Sequence, residues 1–163
     1  MKRWFVWLLM SAALWGCASP GMKYETMPEA ERNLEIRYEL AGQSRDALFD
    51  KTLAWVKAEV VSGDGLLVRS DRAQGSMTAK VMTSYNSMWV EVPARYTMRV
   101  DFKDSRIRVV CYDFEDFWGE FKKTARPVED ADAMRQLKQK AKEKADALNA
   151  FLTGGTPSTD KDW

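Results

Sequence analysis

With 25 Lys and Arg against 24 Asp and Glu in 163 residues, the chain has almost no net charge and no broad electrostatic pull toward nucleic acid. Histidine is absent, which removes Ser-His-Asp and Cys-His catalysis and every imidazole metal site. The length suits one ordinary domain with its own core, and an enzyme of this composition would have to work with carboxylates, lysines or serines.

The chain opens with Lys2 and Arg3, followed by a weakly polar run from Trp4 to Trp15. A short basic start before an apolar run of about 7–15 residues describes a secretory leader. The run falls short of the roughly 20 apolar residues that a membrane span needs. Its end, Leu14-Trp15-Gly16-Cys17, resembles the lipobox of bacterial lipoproteins, although Trp15 is bulkier than the small residue usual there. The resemblance implies that residues 1–16 are removed and that Cys17 becomes a lipidated N-terminus, which places the protein outside the cytoplasm on a membrane. Ala18 after the cysteine, rather than Asp, resembles lipoproteins sent to an outer membrane where the host has one, on its periplasmic side. The alternatives are ordinary cleavage after Ala18 and a retained anchor.

If Cys17 is lipidated, Cys111 is the one remaining cysteine and no internal disulfide can form, so the domain relies on packing. Residues 17–32 are polar, with Pro20, Gly21 and Pro28, and read as a tether. Leu34, Ile36, Tyr38 and Leu40 alternate with charged residues, the period of a half-buried strand. Gly42 ends it. Ser44 is placed to cap a helix, with Asp46 in the first turn. Phe49, Leu53, Val56 and Val60 form one helical face, widened by Leu48 and Trp55, and Gly63 and Gly65 stop the helix.

Strands follow. Leu66 to Arg69 is short. Met77, Ala79 and Val81 alternate with polar neighbours. Val90, Val92, Ala94, Tyr96, Met98, Val100 and Phe102 form the longest alternation, with Pro93 marking an edge or a bulge. Lys103-Asp104-Ser105 turns the chain, and Ile107, Val109 and Cys111 return on the same buried face as an antiparallel neighbour. Pro127 can open a last helix with the stripe Met134, Leu137, Ala141, Ala145, Leu148 and Leu152, closed by Gly154 and Gly155. Residues 154–163 read as a disordered tail.

The order strand, helix, several strands, helix predicts an α+β fold over residues 33–153. About five antiparallel strands carry two helices on one face and leave the other face open. The pieces Tyr38-Glu39-Leu40, Ser44-Arg45-Asp46-Ala47-Leu48-Phe49, Trp55, Gly75 to Lys80 and Tyr96 to Asp104 resemble a bacterial domain family of unknown function described as having a TATA-binding-protein-like fold. The resemblance covers roughly residues 33–116. It implies the fold and an envelope setting, and it brings no catalytic residues.

Several clusters are candidates for function. Asp113, Glu115, Asp116 and Glu120 could hold Ca²⁺ or supply an acid/base pair, but they lack an EF-hand spacing and read first as a solvated strand end. Tyr112, Phe114, Phe117, Trp118 and Phe121 interleave with them and read as mostly buried. Tyr85, Met88 and Trp89, in a hairpin loop, are the better candidates for exposure to a partner, to peptidoglycan or to a membrane surface. The open sheet face carries Arg37, Lys80, Arg95, Arg99, Arg106 and Arg108 among acids, which read as cross-strand ion pairs or as an anion-binding face. Lys138, Lys140, Lys142 and Lys144 spread around the last helix as a solvated surface.

The sequence therefore predicts a non-enzymatic envelope lipoprotein, a binding or accessory domain held to lipid through Cys17. Its expected partner surface is drawn from Tyr85, Met88, Trp89, Arg95, Arg99 and Arg108. No cofactor, metal or nucleic-acid partner is expected, and an envelope protein is the expected partner class. The alternatives are a carboxylate-based hydrolase near Asp113 and a purely structural envelope component.

Overall fold

The computed structural model describes residues 25–117 and 124–154. The 1–16 leader, Cys17, the first part of the 17–32 tether, Trp118, Glu120, Phe121 and the tail beyond Gly154 lie outside the described residues.

The alternation of apolar and charged residues in the first strand produces β1 (Leu34–Glu39), whose Leu34, Ile36 and Tyr38 turn inward. Ser44 then caps α1 (Arg45–Trp55) by accepting from the Ala47 N–H at 3.3 Å. The helix widens into a π-helical turn, Val56–Val60, and tightens again over Val61–Gly63. Widening keeps Val56 and Val60 on the buried side, in line with Leu48, Thr52 and Trp55. Gly65 has to be glycine. A Cβ there would lie 2.6 Å from the Val60 carbonyl oxygen and 2.8 Å from that of Lys80, both backbone atoms.

Four more strands follow: β2 (Leu66–Asp71), β3 (Ser76–Ser87), β4 (Val90–Lys103) and β5 (Arg106–Asp116). A two-residue piece, β6 (Arg126–Pro127), pairs with the end of β5. The six strands form one antiparallel sheet ordered β1-β5-β4-β3-β2, and β1 closes on β5 although the two are far apart in sequence. Pro93 sits in central β4, not at an edge. Its carbonyl accepts from the Phe117 N–H at 3.0 Å, so its missing N–H faces the same side, where the ladder to β5 runs out.

The last helix, α2 (Ala131–Leu152), starts later than Pro127 suggests. Pro127 is drawn into β6, Val128 is buried with its N–H on the Phe114 carbonyl, and Asp130 becomes the cap, accepting from the Ala133 N–H at 2.8 Å. Both helices lie on one face of the sheet. Leu48, Trp55, Val56, Met134, Leu137 and Leu148 meet Met77, Val92, Tyr96, Met98, Val100 and Val109 there. Arg99, Arg108 and Glu35 stand on the other face, which no helix of the described residues covers. Leu53 is only half-buried; its place under the helix is taken by Thr52, whose hydroxyl is fully buried without a hydrogen-bond partner among the described residues.

Leu48→Ala should cost roughly 2–5 kcal/mol, as large-to-small core changes do, and Leu53→Ala clearly less. Arg99→Ala should stay within about 0.5 kcal/mol. Thr52→Val should stabilise by about 1 kcal/mol, because it removes a buried hydroxyl without breaking a bond. Denaturant melts of the four variants check this ranking, and a loss at Arg99 equal to that at Leu48 would mean that the sheet is covered on both faces. Burial also pushes the Cys111 thiol up from 9.0 to about 12. The stabilisation linked to that shift is fully present below the unfolded thiol's value and is lost as pH rises toward 12. Cys111 should therefore resist alkylation at pH 8 in the native protein and react once the chain is unfolded in denaturant.

Candidate functional site

β3 and β4 are joined by a turn of two residues, Met88 and Trp89, closed by the Ser87–Val90 pair. Met88 is held at φ 55°, a conformation that costs about 1–3 kcal/mol for a residue with a side chain. Met88 is 75 % exposed, Trp89 99 % and Val90 54 %, so the tip presents apolar surface to solvent.

Tyr85 corrects an expectation. It keeps the inward phase of Met77, Ala79 and Val81, so it is buried instead of joining the exposed loop. Its hydroxyl donates to Asp116 Oδ2 at 2.8 Å. Burial first, and the Asp116 bond second, push the phenol well above its ordinary range.

Asp116 owes its position to a bulge. Arg95 pairs with Glu115 and Thr97 with Tyr112, so β5 holds one residue more than β4 between these pairs. Asp113 absorbs it at φ 52°, where Asp is better tolerated than most residues. Before the bulge Ile107, Val109 and Cys111 point inward; after it Phe114 and Asp116 do. Phe114 stacks on Tyr96 at 5.3 Å. Asp116 is 8 % exposed, and its Oδ1 has no hydrogen-bond partner among the described residues. The nearest cation on that oxygen is Arg126, at 3.6 Å, beyond hydrogen-bond reach.

Asp116 lies in the wall of an open cleft of about 1230 Å³ between the β3–β4 tip and the start of α2. Met88, Arg126, Asp130, Arg135 and Gln136 also line it. Gln136 ties the two walls together by donating to the Asn86 carbonyl and accepting from the Asn86 N–H, each at 3.0 Å. Arg135 pairs with Asp132. The cleft thus offers a buried carboxylate oxygen with no hydrogen-bond donor among the described residues, inside a rim of mixed charge.

Among the described residues, the acids of the cluster do not form one site. Asp113 is exposed on the bulge, Glu115 accepts from Arg95 Nε at 2.6 Å on the open sheet face, and Asp116 faces the opposite side. No three acids or cysteines among the described residues are placed to hold a metal. On the open face Arg108 Nη2 and Arg99 Nε lie 2.7 and 2.8 Å from Asp101, and Arg37 pairs with Glu35. Arg95 also covers the Phe117 ring at 5.2 Å. The six residues expected to share a partner surface therefore fall in three places: Met88 and Trp89 at the tip, Tyr85 in the cleft wall, and the three arginines on the sheet. The parity break between Cys111 and Phe114 is the sequence signal that could have placed Asp116 inside.

Residues 36–116 match the family model described as a domain of unknown function (DUF4468) with TBP-like fold. Two solved structures are similar to this one. A TBP-like protein from Parabacteroides distasonis aligns with a TM-score of 0.63 at 11 % identity, covering 80 % of this chain and 97 % of that one. A DUF4468 family protein from Bacteroides ovatus aligns with a TM-score of 0.59 at 15 % identity, covering 80 % and 92 %. At such identities the likeness is one of fold. No functionally curated protein matches the chain.

Tyr85→Phe should cost about 1–3 kcal/mol, because it strips the buried Asp116 carboxylate of its hydroxyl donor. Asp113→Val should lose about 1–2 kcal/mol, since a β-branched residue resists positive φ. Thermal melts of both test the bulge; a neutral Asp113→Val would mean that β5 runs through this point without it.

Proposed function

We propose, for a chain that carries a DUF4468 domain of TBP-like fold, that it is an envelope lipoprotein held to a membrane through Cys17 and that its domain binds a partner without chemical turnover. The observation that carries the reading is the Leu14-Trp15-Gly16-Cys17 junction at the end of an apolar leader. Each buried methylene adds about 0.8 kcal/mol of membrane affinity, so several acyl chains on one residue hold a domain of this size firmly. No helix of the described residues is long and apolar enough to cross a membrane.

The cleft supports binding. Among the described residues Asp116 Oδ1 has no hydrogen-bond donor and only Arg126 nearby at 3.6 Å, and a partner that brings an N–H group, best a cationic one, would supply that bond. The hydrolase reading draws no support from the geometry, because Asp113, Glu115 and Asp116 are spread over a bulge and two faces of the sheet.

Mass spectrometry of the mature N-terminus tests the anchor. A lipidated Cys17 is expected, with Cys17→Ser moving the protein from the membrane to the soluble fraction; an unmodified N-terminus at Ser19 would overturn it. A photocrosslinking residue in place of Arg135, at the cleft rim, should trap a product in intact envelopes. The same residue in place of Arg37, on the open sheet face, should not.

A further inference from the structure

The chain enters the domain beside the exposed tip. The Ala131 N–H donates to the Glu25 carbonyl at 2.8 Å, the Met27 N–H donates to Glu129 at 2.9 Å, and Thr26 bridges to Asp130. The first described residues are therefore strapped to the start of α2. Gln136, less than two turns on, holds the end of β3 through both polar groups of Asn86, and Met88 follows. The opposite end of the domain is made of other parts: the Asp104-Ser105 turn, the cap of α1, and the end of α2, whose Leu152 carbonyl accepts from Gln43 Nε2 at 2.9 Å.

Even fully extended, the stretch from Cys17 to Glu25 reaches at most about 25–30 Å. β4 alone, from Val90 to Lys103, runs roughly 40 Å between the two ends. A lipid at Cys17 therefore keeps the entry end close to the bilayer, and the domain cannot stand on its Asp104 end, which could touch the lipid only with the domain laid on its side. The end that is kept close carries Trp89 at 99 % exposure between Met88 and Val90. An indole has an apolar body and one N–H, the combination that settles at the head-group level of a membrane.

We propose that the Met88-Trp89 turn is a second membrane contact, seated in the interface of the bilayer that holds Cys17, so that the domain stands on this end with its cleft opening near the lipid surface. The inference rests on the lipid-anchor reading. The tip need not supply affinity, because the lipid already does so; it sets orientation. The strained Met88 backbone fits this role, since it turns the chain in two residues and leaves both side chains outside the fold.

The test uses the lipidated protein in vesicles of phosphatidylethanolamine and phosphatidylglycerol. An environment-sensitive fluorophore is placed on Trp89→Cys or, at the far end of the same strand, on Lys103→Cys. Cys111 is buried and Cys17 carries the lipid, so each variant takes one label. Both sites are exposed, and circular dichroism confirms that the variants fold. The expected result is a blue shift at position 89 with loss of fluorescence when nitroxide-bearing lipid is included, and neither change at position 103. A label in water at both positions, or quenched alike at both, overturns the membrane contact while the anchor stands. The intact mass of the same sample reads the anchor separately: an unmodified N-terminus overturns both.

Discussion

One apolar sheet face has to be hidden from water, and the rest of the molecule follows from how this is done. Val92, Tyr96, Met98 and Val100 of β4, with Val109 of β5 and Met77 of β3, make a surface far larger than any ordinary exposed patch. Among the described residues only α1 and α2 are long enough to cover it, and both lie on the same side. That leaves the reverse side to charged residues, which neutralise one another in pairs such as Arg108 with Asp101. It also leaves the two ends of the sandwich as the places where backbone and side chains emerge uncovered.

The two ends are not equivalent. At one, Asp104 Oδ1 accepts from the Arg45 N–H, and Gln43 joins both the Ser105 turn and the end of α2, so its polar groups are largely satisfied within the fold. At the other, Asp116 Oδ1 has no hydrogen-bond donor among the described residues, and Trp89 is almost fully exposed.

Period and composition made most of the fold legible. The strand alternations, the Ser44 cap, the two-residue turn at Asp104 and the α2 stripe each rest on local rules and correspond to elements of the sheet and helices. What was not legible depends on partners distant in sequence. Pro127 opens no helix because Glu115 claims it for the sheet. Tyr85 is inside because β3 runs on through the polar Thr83 and Ser84 without changing phase. Asp116 is inside because one extra residue at Asp113 exchanges the two faces of β5, which a strict alternation assigns the other way round. The candidate site was the least legible part, since it is assembled from that change of phase and from a helix start shifted by four residues.

The pairing of β1 with β5 also sets an order of events. β3, β4 and β5 are joined by two-residue turns and form a meander from neighbours in sequence. β1 is made first but pairs Leu34 with Cys111, and the edge it needs does not exist until β5 is in place. Closing so long a loop early is entropically expensive, so the meander forms the nucleus and β1 docks late. Until then the inward side chains of β5 and an unpaired row of its backbone groups stand open at what is temporarily the rim of the sheet. This interval is the one in which a chaperone, or a second unfolded copy, would find a strand to pair with.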